Sequence, residues 1–271
     1  MQATEDLKRH VHDFWDEASC GEIQFLDAPD KSGFLEQSRR RYLLEPYIGD
    51  FAGFEGSKDL DVLEIGVGLG ADHQLFAQAG AVLTGVDLTE RAIEHTRNRF
   101  AQCGLTSDLR VSDAEALPFA DNSFDWVYSW GVLHHSPDTA RAVDEVKRVL
   151  RTGGLAKVMI YHKYSIVGYM LWLRYALLML KPWRSLSEIY ANYLESPGTK
   201  AYTKDEARDL FAEFSDVEIS IVLTHGDLLE SEAGQRHKGW LLTLARRIWP
   251  RRIIRWALPG HGLFMLITAI K

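Results

Sequence analysis

The chain has 271 residues, 46% of them hydrophobic and 25% charged, which excludes wholesale disorder and leaves ample material for a core. Thirty-eight acidic against 31 basic residues give a net charge of −7, which disfavours bulk attraction to phosphate backbones and argues against a nucleic-acid partner. Two cysteines, Cys20 and Cys103, are too few for a disulfide framework, and residues 1–15 lack the apolar core of a signal peptide, so a reducing cytoplasm is the expected compartment.

Residues 1–58 read as a helical extension, in which Leu7, Val11, Phe14 and Trp15 recur at helical spacing and a second run covers 35–47, with a Gly/Asp/Pro-rich loop at 19–33 between them. A strand at 60–65 runs straight into Gly66, Gly68 and Gly70 and then a helix at 71–79. A strand at 82–86 ends at Asp87, and Thr89 caps a helix at 90–103 that stops at Gly104. A strand at 109–111 leads to Asp113. It is followed by a strand at 124–129, a helix at 139–150 ended by Gly153 and Gly154, and a strand at 155–161. Strands separated by helices of this length imply a doubly wound α/β domain, with a parallel sheet covered on both faces. Beyond it, an apolar run at 164–180 is too short, and too interrupted by Gly168 and Arg174, to span a membrane. Thr203 and Glu206 form a capping box that opens a helix reaching 214, and strands at 217–223 and 263–270 complete the chain.

Glycines at 66, 68 and 70 stand where a strand turns into a helix, where they permit positive φ and close approach of a ligand to the backbone. With Ala71 the spacing also satisfies a dinucleotide fingerprint, and Asp87 lies about 20 residues on, placed to bind a ribose diol, so a nicotinamide cofactor is one reading. Three further features point to a different adenosine cofactor. Glu64 stands two residues before the first glycine; Asp113, Ala114 and Glu115 follow the third strand; and the fourth strand, 124–129, is followed by Gly131, His134 and His135. On these motifs, over about residues 60–161, the chain resembles the class I S-adenosylmethionine-dependent methyltransferases, in particular the bacterial small-molecule type that includes the ubiquinone/menaquinone C-methyltransferase group.

The resemblance implies a Rossmann-like, mostly parallel seven-stranded sheet whose last strand is antiparallel, with S-adenosylmethionine as cofactor. It implies that Gly66, Gly68 and Gly70 pack against the methionyl part, with Glu64 orienting loop amides or the amino group. Asp87 then accepts both ribose hydroxyls, Leu88 lies against the adenine, Asp113 and Ala114 bind the adenine edge, and Ser129 or Trp130 faces the methionyl amino group. Methyl transfer from a sulfonium is an in-line displacement, so the chain mainly has to position an acceptor and exclude water. Where the acceptor must lose a proton, His134 or His135 is a candidate base, and Tyr161 and His162 point into the same acceptor pocket. No metal ligands are assigned.

The expected organisation is an N-terminal helical lid at 1–58 and a methyltransferase domain at 59–271, with acceptor-side insertions at 164–200 and 225–262. The acceptor is expected to be a small or hydrophobic metabolite, methylated on oxygen, nitrogen, carbon or sulfur. A stretch at 240–256 carries five arginines and no acidic residue among its tryptophans and leucines, which resembles a basic interfacial helix kinked at Pro250; one reading is that it and the run at 164–180 cover the sheet and roof the acceptor pocket, the other that it makes a peripheral contact with the inner membrane face. A nicotinamide-dependent oxidoreductase and a noncatalytic cofactor-binding protein are the competing readings.

Overall fold

The computed structural model describes residues 2–230 and 246–271. Seven strands form one sheet, β1 (Asp61–Ile65), β2 (Val82–Asp87), β3 (Asp108–Val111), β4 (Phe124–Trp130), β5 (Leu150–Tyr161), β6 (Asp216–Val222) and β7 (Phe264–Ile270), in the spatial order β3-β2-β1-β4-β5-β7-β6. The first five are parallel, and β7 runs antiparallel to both β5 and β6. This is the mostly parallel sheet with an antiparallel last strand that the sequence implied.

Successive residues of the central strands bury on opposite faces. Leu63 and Val127 join a core with Leu133, Val146, Val149 and Phe211, whereas Val62, Trp126 and Tyr128 join Ile48, Phe54 and Phe76. Burial on both faces is why these strands read as continuous apolar runs rather than alternating ones. Helices α5 (Ala71–Ala79) and α6 (Glu90–Cys103) have the expected bounds. Thr89 caps α6 by accepting from the Ala92 amide, and Gly104 ends it at φ 65°.

Before β1 lie α1 (Gln2–Glu17), α2 (Glu22–Phe25), α3 (Lys31–Leu44) and α4 (Tyr47–Ala52). The one-turn α2 occupies part of the expected loop. Ile48, Ala52 and Phe54 pack into the sheet's core, and buried Arg99 of α6 donates to the Phe34 carbonyl and to Gln37 of α3. The stretch from α3 onward is therefore built into the body of the domain.

After α7 (Thr139–Val149) the chain enters β5 directly, so Gly153 and Gly154 lie within the strand and Leu150 is the helix end. The apolar run forms α8 (Ile166–Trp172), continues through a π-helical turn at Leu173–Leu177, and ends at Leu180 with φ 57°. Then come α9 (Leu186–Tyr193) and α10 (Lys204–Leu210), the latter opened by the expected capping box on Thr203 but ending four residues earlier than expected. Phe211 and Phe214 leave helical geometry to fill the core beneath β5. Near the C-terminus α11 (Arg251–Ala257) starts at Pro250, which stands at its N-cap instead of kinking a longer helix. Residues 240–245 of the expected basic helix lie outside the described residues. Among the described residues no helix is long and apolar enough to cross a membrane.

Candidate active site

The carboxyl ends of the parallel strands deliver Glu64 (β1), Asp87 (β2), Trp130 (β4) and Tyr161 (β5) to one side of the sheet, with Asp113 just beyond β3. Their edges line a single cavity of about 880 Å³. This is the crevice at which open α/β sheets bind ligands. Gly66, Gly68, Leu88, Ala114 and His135 line it too, so most of the expected site residues converge.

Asp87 is the best-anchored of them. Its carboxylate accepts from the Gly68 amide and from the Thr89 amide and hydroxyl, each at 3.1 Å. Burial pushes its pKa up, and these hydrogen bonds pull against that shift. The glycine loop thus orients the acid, with lone pairs left over for a pair of hydroxyls. Gly68 has φ 51°, and a Cβ there would meet nothing within 4 Å, whereas a Cβ on Gly66 would stand 2.1 Å from Val132. One glycine is needed for packing and the other keeps the backbone open to the cavity.

Glu64 does something other than orient loop amides. Its carboxyl shares a 2.8 Å hydrogen bond with His73 Nδ1, His73 Nε2 lies 2.8 Å from Ser107 Oγ, and that hydroxyl donates to the Leu83 carbonyl. With the serine hydrogen committed to Leu83, Nε2–H donates to Ser107, and Nδ1 is left to accept from a protonated Glu64. The electrostatics agree. Burial, reinforced by Asp72, holds Glu64 well above the usual carboxylate range, and burial pushes His73 down to about 3.

Three other expected donor-site residues are placed differently. Gly70, at φ 72°, sits outside the cavity wall as the cap of α5, and a Cβ there would lie 2.9 Å from Thr96 of α6, so its role is helix packing. Ser129 is fully buried and donates to the Ile65 carbonyl, while its neighbour Trp130 faces the cavity. Alternation along a strand makes the two exclusive. Asp113 lines the cavity and accepts from the Glu115 amide, but Lys8 of α1 reaches over to pair with both Asp113 and Glu115. Those two carboxylates hold the Lys8 ammonium above its ordinary pKa against the opposing effect of burial.

On the acceptor side the histidines separate. His135 lines the cavity, with Nδ1 2.8 Å from Ser196 Oγ, Nε2 3.4 Å from Glu195, and Trp15 of α1 edge-on to its ring. His134 is fully buried behind it, and neither ring nitrogen has a hydrogen-bond partner among the described residues. Burial, then His135, holds its pKa well below the ordinary value, so it is neutral, and it does not line the cavity. His162 also lies outside the cavity wall, donating from Nδ1 to the Gly262 carbonyl. Tyr161 does line it and donates to Glu195 at 2.6 Å.

Sequence reasoning missed Glu195, Glu45 and Arg41. Glu45 lines the cavity with Arg41, whose guanidinium pairs with Asp72 at 2.8 Å, and burial raises Glu45 to about 7. All three lie in the extension or an insertion, where no motif spacing marks them.

Residues 63–158 match the family model for the methyltransferase domain. The chain carries a class I methyltransferase domain. Its cofactor is S-adenosylmethionine. Among curated relatives, a sterol 4-C-methyltransferase of Caenorhabditis elegans is 32% identical over 148 residues, 54% of this chain and 42% of that protein. A demethylmenaquinone methyltransferase of Desulfitobacterium hafniense is 32% identical over 138 residues, 48% of this chain and 54% of that one. An uncharacterized protein of Mycobacterium tuberculosis H37Rv is 37% identical over 110 residues, 41% of this chain and 40% of that one. The matches thus span about half or less of these relatives' own length. A solved S-adenosylmethionine-dependent methyltransferase of Mesorhizobium loti shares the fold at a TM-score of 0.52 and 18% identity, over 83% of this chain and 97% of that one.

The methyltransferase domain's cavity fits its cofactor. Asp87 offers oriented acceptors for a diol, Gly68 leaves the backbone open, and Glu64 presents a carboxyl to the cavity whose proton affinity is raised by burial and by Asp72.

Proposed function

We propose that the chain methylates a small, apolar acceptor by in-line displacement, with donor and acceptor held in the two ends of the same cavity. The observation that carries this reading is the continuity of that cavity. It runs from Asp87 and the glycine loop, past Trp130 and Tyr161, to an apolar wall of Val167, Met170 and Leu171. When bound, S-adenosylmethionine supplies an electrophilic methyl group on a sulfonium. Asp87 holds the ribose, Leu88 and Ala114 flank the adenine, and Glu64 and Trp130 face the methionyl end.

The remaining task is positioning and the exclusion of water, because charge on sulfur is lost in the transition state. Trp15 and Lys8 of α1 close the cavity from above, which supports a lid role for the first helix. For an acceptor that must lose a proton, the Glu195 carboxylate is the terminal acceptor. It already takes the Tyr161 hydroxyl proton in a hydrogen bond and faces His135 Nε2, so either group can relay a proton to it.

Calorimetric titration with S-adenosylhomocysteine tests the donor end. Asp87→Ala removes two oriented acceptors and should weaken binding by at least about tenfold. Unchanged affinity would refute the ribose assignment.

A further inference from the structure

Seven consecutive residues, 177–183, are exposed, among them Leu178, Met179, Leu180 and Trp183. Leu180 is 82% exposed and Trp183 77%. Runs of this kind are absent from ordinary soluble surfaces, where large apolar side chains scatter singly. Leu180 also holds φ 57° at the end of a helix, a position that local energetics assign to glycine or asparagine. A leucine there exposes its whole side chain and strains its backbone, and neither serves folding. Such a broken local rule points to function.

The neighbouring α11 repeats the pattern. It packs on α8 through Ile254, Ile166 and Met170, and it turns Ile253 and Trp256 outward, the latter 84% exposed. Both stretches carry charge of one sign. Residues 164–187 hold Arg174, Lys181 and Arg184, and residues 246–258 hold five arginines, with no acidic residue in either, although the chain as a whole is at −7. Arg251 is occupied by the Leu228 and Leu229 carbonyls, Arg255 by Glu230 and Arg184 by Glu188 just beyond the first stretch, whereas Lys181 and Arg252 are exposed.

We propose that the 177–183 tip and the outer side of α11 dock the chain on an anionic lipid surface. Exposed leucines flanked by tryptophans and cations match the chemistry of that interface, with apolar groups entering the acyl boundary, indoles at headgroup level and cations against the phosphates. A second copy of the chain fits less well, because it would bring the same cations face to face. Leu173, Arg174 and Leu178 also line the cavity, so the docked chain opens its acceptor end toward the lipid. If the methyl-transfer reading holds, on which this last step rests, the acceptor is a lipid-phase molecule taken up at that mouth.

Flotation with phosphatidylcholine vesicles, with and without phosphatidylglycerol, tests the docking. The full chain should float with the anionic vesicles and about tenfold less with neutral ones, and added salt should weaken the binding. The double variant Leu180→Asn/Trp183→Ser should lose at least about tenfold in vesicle binding while its melting temperature holds or rises, since asparagine relieves the left-handed strain. Arg252→Glu should weaken anionic binding alone. Equal flotation of the double variant would overturn the proposal. So would a wild-type chain that stays with the buffer, or one that proves dimeric and is made monomeric by the double variant without any vesicle binding. Titration with S-adenosylhomocysteine is read beside each chain: a wild type that floats but binds no cofactor would count against methyl transfer, and a wild type that binds cofactor but does not float would count against docking.

Discussion

Glu45 sets a pH dependence that can be read without knowing the substrate. Burial raises its carboxyl from 4.5 to about 7, so the folded chain binds this proton more tightly than the unfolded one. Its stabilising contribution is complete below pH 4.5 and is lost as pH rises through 7, a loss on the order of 3 kcal/mol. Glu45→Gln should therefore melt higher than the wild type at pH 8, with the difference closing below pH 4.5 in a series of thermal scans. Glu64 gives a second test. If a cationic amino group settles beside it, the proton it shares with His73 must leave, so calorimetry in buffers of different ionisation enthalpy should register about one proton released on cofactor binding.

At this scale the sequence was only partly readable. Asp87, Leu88 and Ala114 follow from strand ends and spacing, and they line the cavity. The choice between His134 and His135, or Ser129 and Trp130, turns on which way adjacent side chains point: Ser129 and Trp130 alternate at the end of β4, and His134 and His135 stand in the one-turn helix beyond it, where no strand alternation applies. Glu195 was invisible because its partners, Tyr161 and His135, lie 34 and 60 residues away in the chain.

Among the elements, the core helices were legible because their caps are local chemistry. Thr89, Gly104 and Thr203 each satisfy backbone groups within three or four residues. Thr203→Ala removes the hydroxyl that accepts from the Glu206 amide, leaving only the backbone half of the capping box, and should cost about 1 kcal/mol, seen as a fall of roughly 2–4 °C in melting temperature. The boundaries of α7 and α10 were misplaced because tertiary packing decided them: β5 recruits Leu150 into the sheet, and the core claims Phe211 and Phe214. The first helix is held by Lys8 on Asp113 and Glu115 and by Trp15 against His135. Lys8→Met leaves those two carboxylates without their cation and should increase hydrogen exchange across α1 while leaving α6 protected.

For the whole molecule, a net charge of −7 conceals an uneven distribution. The proposed donor half of the cavity is built from the ends of parallel strands, and the proposed acceptor half from the extension and insertions; the cations and exposed apolar groups concentrate in the insertions, whereas the extension is acidic. The parallel part of the sheet could be inferred from the alternation of elements, and the reversed last strand only from the family resemblance. The acceptor wall could not, because helix faces at 164–200 are fixed by contacts with α9 and α11 and by no periodic signal of their own. The central claim is that one cavity holds the cofactor at the strand ends and the acceptor beyond Trp130. A crystal structure with S-adenosylhomocysteine tests it most directly. The account predicts both ribose hydroxyls within hydrogen-bond distance of Asp87 and the sulfur pointing toward Tyr161; a ligand bound elsewhere, or one whose ribose lies away from Asp87, would contradict it.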